Sequence, residues 1–193
     1  MQNIEPYYNW KDIYSADEDE LSPFYKRKYS EFEFTNTIYN YYIHPQWDDI
    51  GSSTLFIKIL FVDYSSRSAV IELMGEWNDA LHNDIMILKR EVIDILIENK
   101  ITRFILIGEN VLNFHASDDC YYEEWYEDIS DEGGWIAAVN FREHVYAEMR
   151  TVHLEHYMYM GEKFSTLNWR TVKPQYLPDL IENILLKRLA PGE

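Results

Sequence analysis

Leu55-Phe56-Ile57-Lys58-Ile59-Leu60-Phe61-Val62 and Ala69-Val70-Ile71-Glu72-Leu73-Met74 are two apolar runs rich in β-branched residues, and both read as strands. Tyr64-Ser65-Ser66-Arg67-Ser68, between them, is short and polar, as a hairpin loop requires. A helical pattern follows from Asp79 to Glu98, and then a third strand-like run, Phe104-Ile105-Leu106-Ile107. A polar aromatic helix and a fourth run, Trp135-Ile136-Ala137-Ala138-Val139, complete the series by Phe141. Strands followed by alternating helices and strands predict an α/β fold, a mixed sheet with helices packed on it.

The pattern of the first helix places Leu81, Ile85, Leu88, Val92 and Ile95 on one stripe, widened by Met86, Ile93 and Ile97. Asn78 or Asp79 suits its N-cap, and Asn99 tolerates a left-handed end. In the polar aromatic helix, Tyr122, Trp125 and Ile129 share the face expected to lie on the sheet.

Outside this core, 1–52 reads as an acidic, aromatic N-terminal arm and 151–193 as a C-terminal strand and helix, all within one domain. The arm holds the acidic run Asp17-Glu18-Asp19-Glu20 and an alternating segment, Tyr29–Thr35, that predicts a strand. Tyr39, Tyr41, Tyr42 and Trp47 follow, then a turn at Asp48-Asp49-Ile50-Gly51. So many aromatics predict an arm packed on the core rather than a free tail. Beyond Val139, Arg142–Met149 reads as a short helix and Val152–Met160 as a strand, with Val152, Leu154, His156, Met158 and Met160 on one face. Pro174 and Pro178 mark a linker into a closing helix that carries Leu180, Ile184, Leu185 and Leu189.

Composition narrows the function. Thirty-four acidic residues against 17 basic ones give a net charge of −17, a field that repels phosphate backbones and argues against nucleic-acid binding. Sixteen tyrosines suggest half-buried or recognition surfaces. Cys120 is the single cysteine, so no internal disulfide forms and a reducing, cytoplasmic setting is expected. Met1–Pro6 lacks the character of a signal peptide, and no apolar run approaches the roughly 20 residues that span a bilayer.

Gly75-Glu76-Trp77-Asn78-Asp79, just before the long helix, resembles the Gly-Glu-hydrophobic-Asp segment of STAS domains, the fold of anti-sigma-factor antagonists and sulfate-transporter tails. Phe104–Ile107 with the following Gly108–Phe114 resembles that family's next strand and loop. The resemblance covers about 53–150. It implies a regulatory module in which His115-Ala116-Ser117-Asp118 falls where the family carries a phosphorylatable hydroxyl. Ala116 stands where the family has Asp, and Asp118, Asp119 and Cys120 where it has Gly.

The chemistry-bearing residues point the same way. Ser117 can cap the next helix or accept a phosphate, and either role is favoured at a helix N-terminus. His115 with Asp118 offers two metal-ligand types without a third, so no metal or cofactor site is assigned. His153 and His156 would face opposite sides of a strand, His156 towards a polar core pocket; His82 and His144 read as exposed. From Asp118 to Glu132 there are eight acids and no Lys or Arg, interleaved with Tyr121, Tyr122, Trp125 and Tyr126. That is either a solvated helix face or a docking surface for a basic protein partner. Gly-rich phosphate loops, zinc-binding helices and nucleophile elbows are missing from the sequence. The expectation is a non-enzymatic cytoplasmic regulatory or interaction module with binding candidates His115, Ser117, Asp118, Asp119, Trp125 and Tyr126. The alternative is a small enzyme with its site at His115 and Asp118.

Overall fold

A computed structural model describes residues 4–30 and 32–189. Glu31, within the Tyr29–Thr35 run, and Met1–Asn3 of the stretch read for a signal lie outside the described residues. A two-stranded ribbon, β1 (Thr37–Ile38) and β2 (Tyr41–Tyr42), belongs to the arm. The main sheet comprises β3 (Asp48–Asp49), β4 (Leu55–Asp63), β5 (Ser68–Asn78), β6 (Arg103–His115) and β7 (Trp135–Val139), side by side in chain order. The β3–β4 and β4–β5 pairs are antiparallel, while β5–β6 and β6–β7 are parallel. The α/β mixed sheet predicted from the sequence is therefore present.

Asp63 starts the β4–β5 turn by accepting from the Ser65 backbone and hydroxyl at 2.9 and 2.6 Å. At the other end of β5, Gly75 has φ +112°, and a Cβ there would meet the Thr54 carbonyl oxygen at 2.2 Å. Only glycine permits both that backbone and the Glu76 N–H bond to the same carbonyl, 2.9 Å long.

The predicted long helix is broken into pieces. α1 (Asp79–His82) is capped by the Asn78 side chain and ends at Asn83, whose left-handed backbone breaks the run before α2 (Asp84–Leu88). A π turn over Lys89–Ile93 then leads into α3 (Asp94–Glu98). The break arises because two buried carboxylates compete for the local amides. Asp79 accepts from the Ile85 N–H, and Asp84 from the Asn78 N–H and the Ser52 and Thr54 hydroxyls. Leu81, predicted on the stripe, is thus 79% exposed. The π turn inserts one residue, so the buried line runs Ile85, Leu88, Val92, Ile93 and Leu96, while Ile95 and Ile97 are only half-buried. Asn99 has φ −89°, and Lys100 instead adopts the left-handed conformation.

α4 (Cys120–Ser130) and α5 (Glu143–Thr151) join these helices over one face of the sheet, burying Tyr122, Trp125 and Ile129 as predicted, with Val145, Tyr146 and Met149. α6 (Leu177–Leu189) lies on the other face, entered through a 3-10 turn at Pro174–Tyr176 with Pro178 in its first turn. The arm passes from one face to the other: Trp10 packs with Phe164 and Trp169, whereas Ala16 and Phe24 reach the helix-covered core. Tyr14 contacts both, so the chain turns around the outer edge of β4 and shields it.

Three predicted elements take other forms. Tyr29–Thr35 is irregular where described, because the Ser30 hydroxyl accepts from the Phe32 and Glu33 amides at 3.1 and 2.8 Å and curls the chain locally. Asp48–Asp49 forms an edge strand, and the turn comes later, where the Asp49 carboxylate accepts from the Gly51 N–H at 2.7 Å. Val152–Met160 is a turn region: His153 is left-handed, Leu154–His156 is a 3-10 turn, and only Tyr159 bridges to β7. Burial of Leu154, Met158 and Met160 satisfies the apolar pattern without a strand. Among the described residues, no helix is long and apolar enough to cross a membrane.

Candidate functional site

α4 carries its acids on two flanks with different fates. On the flank facing α2 and α3, the π turn directs Lys89 inward until its side chain is fully buried. Its ammonium donates to Asp94, to Asp128 at 2.8 Å and to Glu124 at 3.4 Å. Arg90 clamps the Glu124 carboxylate at 2.5 and 2.8 Å and reaches Asp94 at 2.9 Å. Burial alone would lower the Lys89 pKa, but the bonds to Asp128 and Asp94 outweigh it and hold it above its ordinary value. Arg90 and Lys89 in turn hold Glu124 below the usual carboxylate range. Oxygens of Asp94, Glu124 and Asp128 lie within 4.8 Å of one another, spacing that suits a cation. Lys89 is that cation, so the cluster has the character of an internal ion-pair network.

The opposite flank has no such neutralisation. Asp118, Glu123, Glu127 and Asp131 take part in no ion pair among the described residues, and all four are exposed. Asp119 is the N-cap position of α4 but makes no side-chain cap bond; it accepts from the Tyr157 hydroxyl at 2.8 Å. That bond pushes the Tyr157 pKa up to about 12, with desolvation and the charges of Asp119, Glu123 and Glu127 adding to it. Tyr126, 38% exposed, lies 6.2 Å from the Tyr157 ring. Two tyrosines therefore stand within a field of uncompensated carboxylates.

The predicted site residues separate accordingly. Asp118, Asp119 and Tyr126 belong to this flank. Trp125 is fully buried and packs edge-on against Phe104 at 5.1 Å, which removes it from any docking surface. Ser117 is exposed, on the loop between β6 and α4, and does not cap the helix, since the N-cap lies two residues later. Asp118 is engaged with Cys120, accepting from its N–H at 3.3 Å, and its carboxylate holds the Cys120 thiol above its ordinary pKa.

His115 turns elsewhere. Its Nε2 lies 3.8 Å from Glu76, whose carboxylate also accepts from Asn113 at 3.0 Å and from the Tyr39 hydroxyl at 2.6 Å. His115 and Asp118 thus engage different partners. Sequence reasoning missed Tyr39 and Tyr157 as site residues because each reaches its partner across 37 or 38 residues of chain. The remaining histidines also differ from expectation. His153 and His156 stack on the 3-10 turn with ring centroids 5.6 Å apart, and both are exposed, so His156 occupies no core pocket. His82 and His144 are exposed as predicted.

No family model matches the chain, and no curated protein matches it in sequence. Solved structures are similar to it. The anti-sigma factor antagonist SpoIIAA in its unphosphorylated form is 16% identical, covering 61% of this chain and 98% of that one, with a TM-score of 0.44. The Bacillus cell fate determinant SpoIIAA in the phosphorylated form is 12% identical over 66% of this chain and 98% of that one, with a TM-score of 0.40. A candidate anti-sigma factor antagonist from Thermotoga maritima is 20% identical over 53% of this chain and 80% of that one, with a TM-score of 0.39.

Proposed function

We propose that this protein is a non-enzymatic regulatory module of the cytoplasm that binds a basic protein partner through the outer flank of α4. One observation carries the reading. Within a single helix, Glu124 and Asp128 are neutralised by Lys89 and Arg90, while Glu123 and Glu127, beside Tyr157 and Tyr126, take part in no ion pair among the described residues. Like charges at this density repel, and a cationic partner would relieve that repulsion. Two tyrosines supply the amphipathic contact area that interface centres favour. The engagement of His115 with Glu76 and of Asp118 with Cys120 supports a binding surface over the small-enzyme alternative.

The test is a peptide-display selection against the whole chain, repeated with Glu123→Gln/Glu127→Gln and with Tyr126→Ala. Lys- and Arg-rich peptides should be enriched, and each variant should weaken the best of them by about tenfold, the equivalent of 1.4 kcal/mol. Enrichment of neutral peptides, or equal binding by the variants, would overturn the assignment.

A further inference from the structure

A second region reverses the charge of the rest of the molecule. Between the N-terminal arm and the outer edge of β4 lies a cavity of about 830 Å³. Its lining includes Lys11, Arg27, Lys28 and Lys58 against Glu5 and Asp17, four basic residues to two acidic, where the whole chain has 17 to 34. Asp48 lies behind the wall, fully buried, and offsets part of that charge: its carboxylate accepts from Tyr29 at 2.6 Å and Arg27 at 3.2 Å.

Lys58 is the informative member. It sits on β4 in register with Glu72, and its side chain is 17% exposed. Its ammonium forms an ion pair with Asp48 at 3.4 Å and lies 3.5 Å above the Tyr29 ring. Burial lowers its pKa against the charge and hydrogen bonding of Asp48, which pull it up. An ammonium at the wall of a cavity that three further basic side chains also line puts positive charge where an anion can approach. The cavity also has aromatic walls. Tyr8 and Phe32 line it while being 70% and 85% exposed, flat apolar surfaces otherwise left in water.

We propose that this cavity binds a small anion carrying a flat ring, its carboxylate or phosphate held by Lys58 with Arg27, Lys11 and Lys28, and its ring stacked on Tyr8 and Phe32. The site is separate from the α4 flank and independent of the function read there. A volume of about 830 Å³ accommodates a ligand of mononucleotide size.

Calorimetric titration of the full chain with two ligand pairs tests it: adenosine 5′-monophosphate against adenosine, and 4-hydroxybenzoate against 4-hydroxybenzyl alcohol. The anion of at least one pair should bind about tenfold more tightly than its neutral partner, and which pair responds identifies phosphate or carboxylate as the group recognised. Lys58→Met should weaken that anion by about tenfold or more. If Lys58→Met does not fold, the exposed double variant Lys11→Gln/Lys28→Gln replaces it, with an expected loss of about fivefold. No preference for either anion, or unchanged affinity in the folded variants, would overturn the site. Inorganic phosphate binding as tightly as adenosine 5′-monophosphate would overturn the role given to the ring.

Discussion

On one face of the sheet, Ile57, Ile71, Leu73, Phe104 and Leu106 pack beneath helices that are their neighbours in sequence. On the other, Val70, Ile105 and Ile107 share the surface with the polar Lys58, Glu72 and Glu109, and the cover comes from the chain's two extremities. Tyr7 donates its N–H to Glu72 at 2.8 Å, while Trp169 and Arg170 donate to Glu109 at 2.9 Å. The helix face is held chiefly by non-directional burial, which tolerates imprecise sequence, with the Asp79 and Asp84 hydrogen bonds fixing one end of it. The arm face is held by directional bonds between residues 60 to 65 positions apart, each fixing a terminal segment at one point. Its closure depends on charge and protonation as well as area.

The largest effect should come from the helix face. Leu88 is completely buried, so Leu88→Ala should cost about 2–5 kcal/mol in urea denaturation. A loss below about 1 kcal/mol would mean that this face contributes less than its burial implies.

The arm face should answer to pH. Burial pushes the Glu72 pKa from 4.5 to about 7, against the lowering pull of the Tyr7 N–H and Arg170. Its folded pKa lies above the unfolded one, so the folded state binds this proton more tightly. The associated stability is complete below pH 4.5 and is lost as pH rises through about 7. Relative to Glu72→Gln, the native chain should lose on the order of 3 kcal/mol across that window. Parallel curves for the two proteins would show that Glu72 ionises freely and that the arm is not held through it.

Lys89 lies between these extremes, a buried cation on the apolar side. Lys89→Met leaves Asp94, Glu124 and Asp128 facing one another, with only Arg90 among the described residues to offset them. The expected cost at neutral pH and low salt is about 1–3 kcal/mol, shrinking in high salt as screening replaces the lost ammonium. Insensitivity to salt would mean that the cost is one of packing.

What was legible in the sequence follows the same division. Strands 55–62, 69–74, 104–107 and 135–139, and the burial of Tyr122, Trp125 and Ile129, could be read because apolar periodicity reports burial against neighbouring elements. The break at Asn83 was hidden: Asp79 and Asp84 look like ordinary helix acids until Ser52, Thr54 and Tyr122 supply their partners from distant positions. The alternation at Val152–Met160 misled because burial at 154, 158 and 160 arises equally from a turn beside β7. The density of acid on α4 was plain, but its division into paired and unpaired flanks was not. That division depends on a π turn no periodicity announces.

The smallest effect sharpens the contrast within α4 itself. Ser117 lies at the surface two residues before the N-cap of α4, beside Asp118. A phosphate there would add about 1.5–2 negative charges to the unpaired flank. The positive end of the helix favours that charge, and the adjacent carboxylates oppose it, so the two largely cancel in the isolated chain. Ser117→Glu should therefore change folding stability by no more than about 0.5 kcal/mol. In the complex the cancellation is broken, because a basic partner answers the added charge while the helix dipole is unchanged. Ser117→Glu should tighten binding of a selected Lys-rich peptide by about two- to fivefold over Ser117→Ala, and the gain should vanish above the ionic strength at which surface charges are screened. A gain that persists in high salt would mean a direct contact rather than a field. Equal affinity at low salt would place Ser117 outside the docking surface and confine that surface to Glu123, Tyr126, Glu127 and Tyr157.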